Sequence, residues 1–208
     1  MKKLLLLLPV ILILSTHLLS AQKRKKSEAP YHKFFVGSTA FMLLNLNTKD
    51  NNPPAFYQVN LGYRITPKDV VSIEAKTWTY RWPIGIPIED SFEAEGEGFP
   101  GKVQSHGVAI AYQRFLWKGL YTAVHAMNTS QKYYDEDNIK IQNGYQLFMT
   151  YRLGYHIPLF NNRFFIEPSI ALTHRPIETN QPESFKVIND KWPNTFFPEP
   201  GLHFGVKF

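Results

Sequence analysis

From Tyr145 to Ile157 the chain alternates with a strict period of two. Tyr145, Leu147, Met149, Tyr151, Leu153 and Tyr155 fall on one parity. Gln146, Phe148, Thr150, Arg152, Gly154 and His156 fall on the other. Successive side chains of a strand point to opposite faces, so this pattern is a strand with one large apolar face and one polar, mostly smaller face. A helix turns every 3.6 residues and would mix the two sets around its axis. A strand with two unlike faces needs partners on both edges, and the rest of the chain must supply them.

Seven further stretches read as strands. They are 34–46, 56–65, 70–82, 105–115, 120–134, 164–177 and the closing run Gly201–Phe208. Tyr57, Val59, Leu61 and Tyr63 oppose Gln58, Asn60, Gly62 and Arg64. Val71, Ile73 and Ala75 oppose Ser72, Glu74 and Lys76. Pro168 lies inside the seventh strand, where it removes a ladder donor and predicts a bulge. Short connections, Thr66-Pro67-Lys68-Asp69, Leu116-Trp117-Lys118-Gly119 and a segment around Asn161-Asn162, follow the second, fourth and sixth strands. Longer ones, 47–55, 83–104, 135–144 and 178–200, follow the others. Eight strands with connections alternating in length predict an all-β, antiparallel up-and-down barrel.

The closing run places Leu202, Phe204, Val206 and Phe208 on one face and stops on the aromatic. It resembles the C-terminal signal of small Gram-negative outer-membrane β-barrels. That resemblance implies an eight-stranded antiparallel up-and-down transmembrane β-barrel, closed by its last strand and recognised through it by the barrel-insertion machinery. It further implies periplasmic termini, long loops outside the cell, and contact with outer-membrane lipid and lipopolysaccharide. The other end agrees. Lys2 and Lys3 precede an apolar run, Leu4–Leu14, and a small residue at Ala21, which is the pattern of a secretory signal peptide. Cleavage there leaves 208 − 21 = 187 residues. The expected organisation is a signal peptide at 1–21, a basic tail at 22–33 and a barrel domain at 34–208. The chain has no Cys, so it forms no disulfide and no thiolate metal site. The net charge of +6 is concentrated in Lys2, Lys3 and the run Lys23–Lys26. That run is short and has no interleaved aromatics, which argues against a nucleic-acid partner.

A soluble periplasmic barrel, acting as a carrier, would also alternate, with its apolar face turned inward. The polar face favours the membrane reading. It carries Gly62, Gly107, Ala109, Ala111, Gly154, Ser169, Ala171 and Gly205, as a crowded lumen requires, together with Arg64, Glu74, Lys76, Arg152, Glu167 and Lys207. Enclosed charges must be paired, and this set has both signs, so the expectation is a lumen ion-pair network. Aromatics near strand ends suggest two interfacial girdles. Tyr63, Phe115, Trp117, Tyr155 and Phe164 lie near the short turns. Trp78, Tyr80, Trp82, Tyr133 and Tyr134 lie toward the long loops.

The interior of an eight-stranded barrel is just wide enough for side chains, which excludes a general diffusion pore. The expected role is structural, adhesive or envelope-interacting, without catalytic residue, cofactor or metal. The alternative is an outer-leaflet lipid-modifying enzyme. The run His125-Ala126-Met127-Asn128 partly resembles the His-x-Ser-Asn run of outer-membrane lipid A deacylases. Met127 stands where the serine would be, and Thr129 is the nearby hydroxyl on the face of His125. The loop from Glu89 to Glu97 is acidic but lacks the alternating ligand pattern of a calcium loop. Trp192, Phe196 and Phe197, set among prolines, suggest an ordered loop with room for an extracellular ligand.

Overall fold

The computed structural model describes residues 32–46, 55–81 and 99–208. The expected signal peptide, most of the basic tail, the loop at 47–54 and the acidic segment from Glu89 to Glu97 lie outside these residues. Nine strands are present: β1 Phe34–Thr39, β2 Ala55–Arg64, β3 Asp69–Tyr80, β4 Lys102–Trp117, β5 Leu120–Tyr134, β6 Lys140–Tyr155, β7 Ile157–Leu159, β8 Phe164–Thr179 and β9 Thr195–Lys207. Pairing is antiparallel and follows chain order, with β6 on β8 and β9 on β1 closing the sheet. The three residues of β7 continue β6 along the same neighbour, β8. The wall is therefore a ring of eight strands.

The short connections have identifiable causes. Lys118 and Gly119 form a two-residue hairpin with φ of 44° and 95°, the doubly positive geometry that matches strand twist and favours glycine. In the first turn the Thr66 hydroxyl accepts from the backbone N–H groups of Lys68 and Asp69 and donates to the Asp69 carboxylate. Phe160, Asn161 and Asn162 all have positive φ, a conformation that asparagine tolerates better than most residues.

Three local expectations are corrected. The first strand ends at Thr39, and Ala40–Leu46 is a 3-10 helix. The run Phe41-Met42-Leu43-Leu44 is apolar without alternation, so nothing in it maintains a two-faced strand. The Asn45 amide takes the place of a neighbouring strand there: it donates to the Phe56 carbonyl at 2.6 Å and accepts from the Phe56 N–H at 2.7 Å. Second, the ladder to β9 passes Pro168 in register. The shifts fall between Ala171 and Thr173 on that side, and between Leu147 and Met149 on the β6 side, opposite Arg175-Pro176. Pro168 instead lies opposite the break between β6 and β7, where a donor is least needed. Third, 178–200 is not one loop. It contains helix α1, Glu183–Asn189, and the start of β9.

The two faces are sorted without ambiguity. Leu61, Ile73, Val108, Ile110 and Leu153 stand on the outside, Ile110 with 70% of its surface exposed. Glu74, Lys76, Arg152, Glu167 and Lys207 are buried inside. Small inward residues make room for large ones: a Cβ on Gly62 would fall in the Phe35 ring, one on Gly154 in the Tyr121 ring, and one on Gly201 against the Arg152 guanidinium.

At the long-loop end the interior turns apolar. Tyr80, Phe99, Val103, Tyr133 and Phe185 form a buried cluster flanked by Trp78 and Ile188. Phe185 and Asn189, four residues apart, share one face of α1, and both are buried. The Phe185 ring packs on Phe99 at 5.4 Å and Tyr133 at 5.1 Å. The upper aromatic girdle is thus corrected as well: Tyr80 and Tyr133 plug the ring instead of facing outward, while Trp82 lies outside the described residues. At the short-turn end Tyr63, Trp117, Tyr155 and Phe164 are exposed outside, but Phe115 points inward against His156.

Candidate functional site

The charged interior is layered along the axis. Nearest the short turns, Glu167 receives His156 Nδ1 at 2.6 Å and Gln113 Nε2 at 3.1 Å. Lys207 Nζ lies 2.8 Å from His156 Nε2 and also donates to Asn162. An ammonium only donates and a carboxylate only accepts. The imidazole between them is therefore neutral with its proton on Nδ1, giving a directed line from Lys207 through His156 to Glu167. Phe165 stacks on the imidazole at 5.2 Å, and Phe115 meets it edge-on at 5.4 Å. The Arg64 guanidinium lies over Phe115 at 4.7 Å and donates to the Pro67 carbonyl.

One level further in, His125 Nδ1 is 3.0 Å from Glu74. Arg152 donates to Ser169 Oγ at 2.8 Å and pairs with Glu199 at 3.3 Å. Beyond this, Lys76 is enclosed with its ammonium over the rings of Phe148 at 5.0 Å and Trp78 at 5.3 Å. Arg175 then joins Asn189 at 2.7 Å and Glu178 at 3.3 Å, tying α1 to the wall.

The six residues expected in the network, Arg64, Glu74, Lys76, Arg152, Glu167 and Lys207, all point inward but do not form one central cluster. Arg152 is bonded to Glu199, and Glu167 to His156. Glu199 escaped the sequence reading because it lies in a proline-rich stretch read as loop. Phe185 and Asn189 escaped it for the same reason, whereas Arg175 lay on the inward parity of the seventh strand and was not singled out. The only signal was the four-residue spacing of Phe185 and Asn189.

His125 and Thr129 both face the interior. Four residues along a strand separate them by about 13 Å, far beyond hydrogen-bond reach, and the buried Thr129 hydroxyl has no partner. The Glu74–His125 pair can orient and polarise an imidazole, but nucleophilic catalysis also needs a hydroxyl within reach of the other ring nitrogen. Among the described residues no group of three or more His, Asp or Glu is placed to hold a metal ion.

Space is scarce around these groups. A cavity of about 30 Å³ touches Glu74, His125, Arg152, Glu167 and His203, and one of about 20 Å³ touches Arg64, His156, Glu167 and Lys207. Such volumes hold one or two waters. Compared with known protein families, curated proteins and solved structures, the chain matches none.

Proposed function

We propose that this chain is an outer-membrane β-barrel whose lumen is closed by its own side chains, with a structural, adhesive or envelope-interaction role. One observation carries the reading: the ring is apolar outside and charged inside. Water-soluble proteins rarely leave contiguous apolar patches beyond a few hundred Å², whereas here apolar side chains face outward from every strand of the ring except the short β7. In hydrocarbon a closed ring leaves no backbone donor unpaired at an edge. On this reading the short turns face the periplasm and the α1 end faces outward, offering a rigid mouth to lipopolysaccharide or an extracellular ligand.

The two narrow cavities and the plug argue against a diffusion pore. A soluble carrier would need an open apolar pocket inside, whereas this interior is charged over most of its length and its apolar end is filled by Tyr80, Phe99, Val103, Tyr133 and Phe185. A lipid-modifying enzyme finds a carboxylate–imidazole pair at Glu74 and His125, but among the described residues Glu74 is the imidazole's bonded partner, and the expected hydroxyl of Thr129 lies out of reach. The test is reconstitution of the mature chain in lipid vesicles and planar bilayers. The proposal expects a membrane-inserted, heat-modifiable band on gels, no steady conductance, and unchanged lipid A masses. Recovery as a soluble monomer would overturn the membrane placement. A stable ohmic pore would overturn the closed lumen, and deacylated lipid A would overturn the non-enzymatic role.

A further inference from the structure

The two ends of the ring differ in charge in a way that the barrel itself does not require. At the short-turn end Lys33, Lys68, Arg114, Lys118 and Arg163 are all exposed. Outside the interior, the side-chain carboxylate of this rim among the described residues is Asp69, which Arg114 holds at 2.6 Å. Glu167 is enclosed and bonded to His156. The remaining four cations have no carboxylate partner among the described residues at this end. Exposed aromatics stand between them: Trp117, Phe160 and Phe164 on the outward side, with the Lys118 ammonium 4.7 Å from the Trp117 ring. The opposite end is mixed, with Glu136, Asp137, Glu183 and Asp190 exposed beside Lys140, Lys186 and Lys191.

Cations set just outside an apolar belt and interleaved with aromatic rings match a layer of anionic headgroups. The rings sit at the acyl boundary, and long Lys and Arg stems carry the charge outward to phosphate. Each basic residue near such a surface strengthens attachment, and the effect fades beyond a Debye length. We infer that the short-turn rim, through Lys33, Lys68, Lys118 and Arg163, binds the phosphates of anionic phospholipid headgroups in the leaflet around it. This rests on the membrane placement proposed above and adds to it a side and a headgroup chemistry.

The absence of native Cys allows a single probe. Bimane on Phe160→Cys, a position 76% exposed in the β7–β8 turn, reports its neighbouring lipids in mixed phosphatidylglycerol–phosphatidylcholine vesicles. Either lipid is brominated in turn. The expected result is quenching by brominated phosphatidylglycerol about two- to threefold above its mole fraction, reduced by added salt. The variant K33Q/K68Q/K118Q/R163Q should fall to parity while still inserting. Parity in the parent, or a preference that survives the four substitutions, would overturn the headgroup site and leave the barrel placement standing. Absence of quenching by either lipid would overturn both.

Discussion

Glu167→Gln perturbs the layer nearest the short turns while keeping its shape. The carboxylate is buried and accepts from His156 and Gln113. Both donors converge on one carboxylate oxygen, so glutamine keeps both bonds by placing its carbonyl oxygen there, but each then goes to a neutral acceptor. A hydrogen bond to a charged group contributes about 1.5–3 kcal/mol and a neutral one about 0.5–1.5 kcal/mol. Weakening both bonds therefore costs about 2–3 kcal/mol. Lys207, which reaches Glu167 through His156, also loses its nearest countercharge. Breaking a buried pair from one side costs about 3–5 kcal/mol, and the two waters' worth of space beside these groups lets solvent screen the stranded ammonium. The expected loss stays near 2–3 kcal/mol. Urea titration of the vesicle-inserted protein, followed by heat-modifiable gel mobility, measures it, and planar bilayers should show no new conductance. A variant as stable as the parent that opened a steady channel would refute the reasoning, because the layer would then be a gate and not a structural seal.

Three other outcomes follow from the same geometry. Phe185→Ala removes a fully enclosed ring, a change that typically costs about 3–5 kcal/mol, so α1 should undock; limited proteolysis between β8 and β9 should accelerate at least tenfold while the barrel stays folded and closed. Gly62→Ala drives a methyl into the Phe35 ring and should cost about 1–3 kcal/mol; Phe35→Leu in the same chain should recover most of it in a urea titration, and a loss left unrecovered would contradict the β1–β2 register. Asp69 has its pKa held below the ordinary carboxylate value by hydrogen bonds from Thr66 and then Tyr112, with Arg114 beside it. A depressed folded pKa adds stability above the unfolded value and loses it as pH falls through the folded one. The urea midpoints of the parent and Asp69→Asn should therefore differ near neutral pH and converge as the pH falls through the depressed folded pKa.

Period two alone makes the wall legible in the sequence. The strand from Leu120 to Tyr134 has the bounds expected, and Arg152 and Glu167 lie inside as parity requires. The same parity applies to Trp78 and Tyr80, which share the face of Glu74 and Lys76; assigning them to an outer girdle lets residue type override position. Phe34–Leu46 misleads in the opposite sense, since the apolar run Phe41–Leu44 within it carries no period and the 3-10 turn is held by Asn45, a side chain eleven residues from its partner. Partner choice is the least legible feature. Arg152 reaches Glu199 and not Glu167 because Gly201 leaves the guanidinium its space, and such a vacancy depends on cross-strand register. Helix α1 is hidden by its surroundings of proline and aromatics, where local composition signals a loop and only tertiary docking of Phe185 selects the helix.

Two adjacent positions on β4 test the central claim most directly. Ile110 is 70% exposed on the outer face, and Ala111 is 3% exposed on the inner one. Each is replaced by Cys in a chain without other thiols, inserted into lipid vesicles, and exposed to a lipid-soluble and then to a water-soluble maleimide. The account predicts fast labelling of Ile110→Cys from the lipid phase, its protection from the aqueous reagent, and no lipid-phase labelling of Ala111→Cys. Labelling of Ile110→Cys by the aqueous reagent alone, or equal lipid-phase labelling at both positions, would contradict an apolar outer wall facing the bilayer.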